Sequence, residues 1–225
     1  MFVVLWLALF AGLVLAAFFF EKRIMKKRHP LRAVKTISYV AVFSALAGLL
    51  MLLEIPLFFA PSFYKIDLSE LPVLICTFYL GPVAGVICEL LKVILKLLLK
   101  GTTTAFVGDF GNFLVGCSLV LPASVLYQVK PTKKGAVAAL ALGTACLTVF
   151  GSLFNAWYLI PKFAELYGIP LKMIVSMGTE INASITDLRT LVLFAVVPFN
   201  LLKGVLVSVL TFLLYKRVQR LFFQK

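Results

Sequence analysis

Apolar stretches of about 20 residues, the length that crosses a ~30 Å hydrocarbon core, recur along the whole of this sequence. One buried helix would account for one such stretch, not for the recurrence. Seven are predicted as helical spans, at residues 2–20, 36–56, 68–80, 83–99, 110–127, 135–160 and 188–215. The third is short and stops at Gly81-Pro82, so it is expected to tilt or to borrow length from the loop before it. Composition agrees, with 62% of positions hydrophobic and 14% charged, against about 25% charged in a soluble domain. The expected fold is all-α, a polytopic transmembrane helical bundle.

The net charge of +13 would point to nucleic acid in a soluble protein, but the basic residues sit where a membrane explains them. The densest run, residues 21–30, lies between two apolar segments and has no aromatic platform or base-reading motif beside it. A cytoplasmic anchor facing anionic lipid headgroups accounts for it, and no nucleic-acid partner is expected. Placing that run inside puts Lys130, Lys133, Lys134, Lys216, Arg217, Arg220 and Lys225 on the same side. The positive-inside rule then predicts a multi-pass protein of the cell membrane with its N-terminus outside and its C-terminus in the cytoplasm. The first span has its charges after the apolar run rather than before it, so it reads as a reverse signal anchor and not as a signal peptide.

Catalytic and metal chemistry find little support. There is no phosphate-binding GxxxxGK[ST] loop, HExxH or GxSxG, and the single histidine, His29, lies in the basic run. Cys76, Cys88, Cys117 and Cys146 form no CxxC pair and have no metal-ligand spacing. No enzyme activity and no resident cofactor are expected.

Polar residues inside the spans are more informative, because lipid makes them costly. Asn200 and Lys203 lie three apart, on one helix face about a turn from each other, and both donate hydrogen bonds of the kind that suit the carbonyls of a polar heterocycle. Lys203 in hydrocarbon would need a polar cavity or a carboxylate partner. Asn155 sits in Gly151-Ser152-Leu153-Phe154-Asn155, beside Phe154, Trp157 and Tyr158, which read equally as packing for a flat ring or as interfacial anchors. Glu89 and Lys92 are open to a structural or a functional reading. Asp67 and Ser69 fit the start of a helix as well as a ligand contact. The loop at 161–187 is the longest, with a helix-compatible stretch at 171–177. Ala41 and Ala45 form a small-xxx-small pair, Ser44 and Gly48 repeat it one register on, and Gly81 and Gly85 form another.

The runs Asp67-Leu68-Ser69-Glu70-Leu71-Pro72, Gly81-Pro82-Val83-Ala84-Gly85-Val86, Glu89-Leu90-Leu91-Lys92, Leu99-Lys100-Gly101-Thr102-Thr103-Thr104, Gly111-Asn112-Phe113-Leu114-Val115-Gly116 and Pro198-Phe199-Asn200-Leu201-Leu202-Lys203-Gly204 resemble the riboflavin-specific substrate-capture subunits (S components) of energy-coupling factor vitamin transporters. The resemblance implies a six-helix binding subunit that takes riboflavin from outside and has no ATPase activity of its own. It further implies association with a transmembrane coupling subunit and two ATP-binding-cassette subunits, and a toppling movement that releases the vitamin inside. On this resemblance Asn155, Asn200 and Lys203 correspond to flavin contacts and Ala41 and Ala45 to the contact with the coupling subunit. The loop at about 58–67, with Asp67, corresponds to a lid. The implied organisation is an extra transmembrane helix at 1–21, a basic cytoplasmic linker at 22–35, the six-helix substrate-binding domain at 36–216 and a basic tail at 217–225. A capture subunit for another vitamin, or a membrane protein acting on lipids, are the alternative expectations.

Overall fold

In a bilayer a chain segment must satisfy its own backbone, and helices do so within one segment. The computed structural model describes residues 2–24, 34–59, 61 and 64–222. Each of the seven apolar segments is helical: α1 Phe2–Ile24, α2 Val34–Leu52, α3 Glu70–Leu80, α4 Pro82–Lys100, α5 Val107–Val129, α6 Lys133–Tyr167 and, after a short α7 at Leu171–Thr179, α8 Leu188–Leu221. By length and composition α2, α5, α6 and α8 are each able to cross a membrane. Between α2 and α3 a small antiparallel hairpin pairs β1 Ile55–Pro56 with β2 Lys65–Ile66.

The helix ends follow from local chemistry. Gly81 takes φ 98°, open to glycine and strained for other residues, and Pro82 then supplies the preset φ of a first helical turn, so α3 and α4 meet at a sharp corner. Thr132 caps α6 by accepting the Gly135 N–H at 3.0 Å. Asp187 and Thr190 form a reciprocal capping box at the start of α8.

α3 packs against α2, α4, α5 and α8, and Val73, Leu74, Cys76 and Thr77 are essentially inaccessible. It begins at Glu70, two residues later than the segment expected at 68, and ends at the Gly81 corner. At the end of the bundle where α3 terminates, Phe78 stacks on Tyr127 at 4.1 Å and meets Tyr215 edge-on at 5.9 Å, and Tyr79 donates to the Tyr215 carbonyl. Small residues set the helix spacing. A Cβ at Gly85 would fall 2.5 Å from the Thr77 hydroxyl, and one at Gly48 would meet the Leu95 side chain at 3.0 Å. The Gly85 and the Ser44/Gly48 spacings are therefore internal packing, whereas Ala41 and Ala45 are exposed on the outer face of α2.

Three expectations change. Most of the 161–187 loop is helical, because α6 runs on to Tyr167 and α7 follows after Gly168. α8 continues to Leu221, so the basic tail expected from 217 begins as helix. The linker expected at 22–35 is bounded by α1 ending at Ile24 and α2 starting at Val34, and most of it lies outside the described residues.

Both α6 and α8 contain a π-helical turn, at Asn155–Leu159 and Val192–Val196, and the two turns touch. Each turn inserts one residue, which rotates everything beyond it by about 100° about the helix axis. π turns occur often at functional sites, and the first of these two supplies Asn155 and Leu159 to the cavity described next.

Candidate functional site

A cavity of about 550 Å³ opens at the hairpin end of the bundle, within the range of small-molecule sites. Its walls come from the hairpin, α3, α4, α5, α6, α7 and α8. Apolar lining comes from Met51, Val115, Leu159, Ile160, Phe163, Ile174 and Phe199, and polar groups from Asn112, Asn155, Asn200, Asp67 and Lys203.

Lys203 is nearly buried, and its Nζ lies 3.0 Å from both Asp67 Oδ2 and Glu70 Oε1. Glu70 in turn pairs with Lys92 at 3.1 Å, and Lys92 reaches Glu89 at 2.8 Å. The result is an alternating chain of three carboxylates and two ammoniums from the hairpin stem through α3 and α8 to α4. Ser69 is threaded into it, accepting from Lys92 at 3.1 Å. Gly116 makes room for the last member, since a Cβ there would overlap the Glu89 carboxylate. Such a chain is the arrangement that lets ions persist in an interior, where each unpaired charge costs several kcal/mol (~).

The two asparagines converge above this chain. Asn155 donates to the Gly151 carbonyl at 2.7 Å and accepts from the Tyr64 hydroxyl at 2.8 Å, while Asn200 donates to Ser152 Oγ at 3.2 Å. Burial pushes the Tyr64 phenol up, so it remains a donor across the physiological range. Gly151 lets Asn200 approach, because a Cβ there would lie 3.0 Å from its amide nitrogen.

A second polar group lies toward the mouth. Lys96 pairs with Asp109 at 2.6 Å, and Thr102 donates to the other Asp109 oxygen at 2.7 Å. Glu54, just after α2, accepts from Lys65 of the hairpin at 3.1 Å and from Lys100 at the end of α4 at 2.8 Å. Partial burial raises the Glu54 pKa, but the hydrogen bonds and charges of Lys100 and Lys65 outweigh it and hold the carboxyl below its ordinary range.

Asp67, Asn155, Asn200 and Lys203 therefore meet at one cavity. Phe154, Trp157 and Tyr158 are not among its lining residues. Trp157 is 81% exposed on the outside of the bundle, and Phe154 and Tyr158 stack on each other at 5.2 Å behind the site. The π turn is the reason: the extra residue brings Leu159, Ile160 and Phe163 to the cavity face in place of Tyr158. Sequence reading did not single out Tyr64, Asp109 or Phe199 for the cavity. Phe199 adjoins Asn200, and Tyr64 packs on it with ring centroids 5.0 Å apart. Among the described residues no His, Cys, Asp and Glu cluster has the geometry to hold a metal ion.

Residues 35–215 match the model of the family described as ECF transporter, substrate-specific component. The chain belongs to that family. It is 33% identical to the riboflavin transporter RibU of Staphylococcus aureus over 184 residues, covering 82% of this chain and 90% of that protein. It is 30% identical over 187 residues to the riboflavin transporter FmnP of Bacillus subtilis, covering 83% of this chain and 93% of that one. A solved S component of a bacterial ECF transporter superposes with a TM-score of 0.65 at 32% identity, covering 84% of this chain and 98% of that structure's chain. This substrate-specific component is thus a helical membrane protein whose family region begins at the start of α2, leaving α1 outside it.

Proposed function

We propose that this substrate-specific component captures riboflavin in the cavity between the hairpin, α6 and α8, and passes it inward with an energy-coupling module. The observation that carries the reading is the convergence of Asn155, Asn200 and Lys203 on one aromatic-walled cavity of about 550 Å³. Riboflavin has a flat tricyclic ring with apolar faces, a polar edge of carbonyls and an imide, and a polyhydroxylated chain. An amide side chain both donates and accepts and so matches an imide edge, and the Lys203 ammonium suits a carbonyl oxygen. Tyr64, Phe163 and Phe199 offer faces to the ring, and Asn112, Thr103, Thr104 and Asp109 offer partners to the hydroxylated chain.

In this reading the hairpin is the lid. Tyr64 and Asp67, which bond Asn155 and Lys203, exchange those partners for ligand as the vitamin enters. The N-terminus and the cavity mouth face outward and the C-terminus faces the cytoplasm, in keeping with the basic residues around the ends of α1, α5 and α8. Ala41 and Ala45 present a close-approach surface on α2 for the transmembrane coupling subunit, which in turn engages two ATP-binding-cassette subunits.

Two measurements test the capture step. The supernatant of denatured, purified protein should carry the absorption spectrum of riboflavin, and a spectrum of a different vitamin would reassign the ligand. Titration followed by flavin fluorescence should show tight quenching by the unmodified protein and at least about tenfold weaker binding by Lys203→Ala, the loss expected when a hydrogen bond to a charged group is removed. Unchanged affinity in Lys203→Ala would remove Lys203 from the site.

A further inference from the structure

Among the described residues α1 contributes none to the cavity lining, and it lies outside the family region, yet its seating is specific. Ala17 is completely covered, and the Glu21 carboxylate accepts the Val83 N–H at 3.3 Å, at the first turn of α4, where a negative charge is favoured. At the other end, level with the cavity, Trp6 lies 4.9 Å from the Phe110 ring and stacks on Phe113 at 5.8 Å. Among the described residues the Trp6 indole N–H has no acceptor, so its contribution is ring packing.

Phe110 connects this contact to the capture site. Its ring meets Phe154 and Tyr158 edge-on, each at 6.3 Å; Phe154 immediately precedes the π turn and Tyr158 lies within it. Next to Phe110 on α5, Gly111 receives Leu159 of the same turn, where a Cβ would come within 2.8 Å. The order from outside inward is therefore Trp6, the phenyl layer, the π turn, and the cavity. A π turn is a rare, poorly bonded geometry that persists only where its surroundings hold it. Relaxing it to α would rotate Leu159, Ile160 and Phe163 off the cavity face by about 100° relative to Asn155.

We propose that α1 braces the capture site and that Trp6 is a positioning residue for riboflavin, holding the Asn155 turn in register through Phe110, Phe154 and Tyr158. The inference rests on the riboflavin reading above, and one of its readouts does not require ligand.

The test uses the full-length protein in detergent, as the wild type, Trp6→Ala, Trp6→Phe and Leu15→Ala, the last replacing a side chain that is 67% exposed on the outward face of α1. Riboflavin affinity and dissociation rate are read by flavin fluorescence. Trp6→Ala should bind about three- to tenfold more weakly, the range an aromatic contact carries, through faster dissociation. Trp6→Phe should recover most of the loss, and Leu15→Ala should match the wild type. Without ligand, the amides of residues 155–159 should exchange with deuterium faster in Trp6→Ala and at the normal rate in Leu15→Ala. If Trp6→Ala does not purify folded, Trp6→Leu, which keeps apolar volume without the ring, takes its place with the same expectation. Unchanged binding and unchanged exchange at 155–159 overturn the proposal, as does an equal loss in Leu15→Ala. A wild type that binds no riboflavin overturns the capture reading, and the exchange result then judges the brace alone.

Discussion

At the Nζ of Lys203 the hairpin stem, α3 and the cavity all meet. Its pairing with Asn200 was readable from a three-residue spacing, and the cost of a lysine in lipid implied a partner before any partner was visible. The partner itself was not readable, since Asp67 lies 136 residues away and its own surroundings fit an ordinary helix start. Tyr64 escaped notice for the same reason: nothing local marks a loop tyrosine whose acceptor, Asn155, is 91 residues on. At this scale two glycines in opposite surroundings make a prediction. Gly116→Ala drives a methyl group into the Glu89 carboxylate and should lower thermal stability by about 1–3 kcal/mol, as overpacking does. Gly12→Ala, with nothing within 4 Å of its Cβ, should leave the melting temperature in detergent unchanged or slightly raised.

At the scale of elements, the spans were legible because apolar length is a property of consecutive residues. The register of α6 was not, because the π turn depends on α5 and α8 packing against it rather than on any local signal. Phe154, Trp157 and Tyr158 read equally as ring packing or as interfacial anchors from their nearness to Asn155 in sequence, and a residue inserted by the π turn is what such nearness cannot register. The hairpin was also invisible, being two residues wide and tied down by Glu54. Because Lys100 and Lys65 hold the Glu54 carboxyl below its ordinary range, the tie adds stability above the free value of about 4.3 and loses it as pH falls through the lowered one. Hydrogen exchange at the strand amides of Ile55, Lys65 and Ile66, corrected for the intrinsic rate, should show steady protection from about pH 7 to 5 and a decline below that. Glu54→Gln should show weak protection at every pH in the series. A constant difference between hairpin and helix amides down to about pH 3 would mean that the tie does not hold the hairpin.

For the molecule as a whole, composition was enough to give a membrane bundle, and the order of the motifs was enough to give the family. Which small-residue register faces inward was not: Ser44 and Gly48 pack on α4, leaving Ala41 and Ala45 outside. Ala41→Leu with Ala45→Leu should therefore leave riboflavin binding intact while abolishing co-purification with the coupling subunit and its ATPases. Retained co-purification would move the docking surface elsewhere on the bundle.

The chain of charges also sets a condition on how the protein is made. Ribosomes deliver α3 and α4 before α8, so Asp67 waits for Lys203 while a further 136 residues are made. During that interval Lys92 faces two carboxylates, Glu70 and Glu89, with no second ammonium between them. Until α8 is in place, Asp67, Glu70 and Glu89 share the single ammonium of Lys92, an excess of negative charge that an apolar interior makes costly. Arrival of α8 brings the second ammonium and completes both the charge chain and the cavity wall in one step.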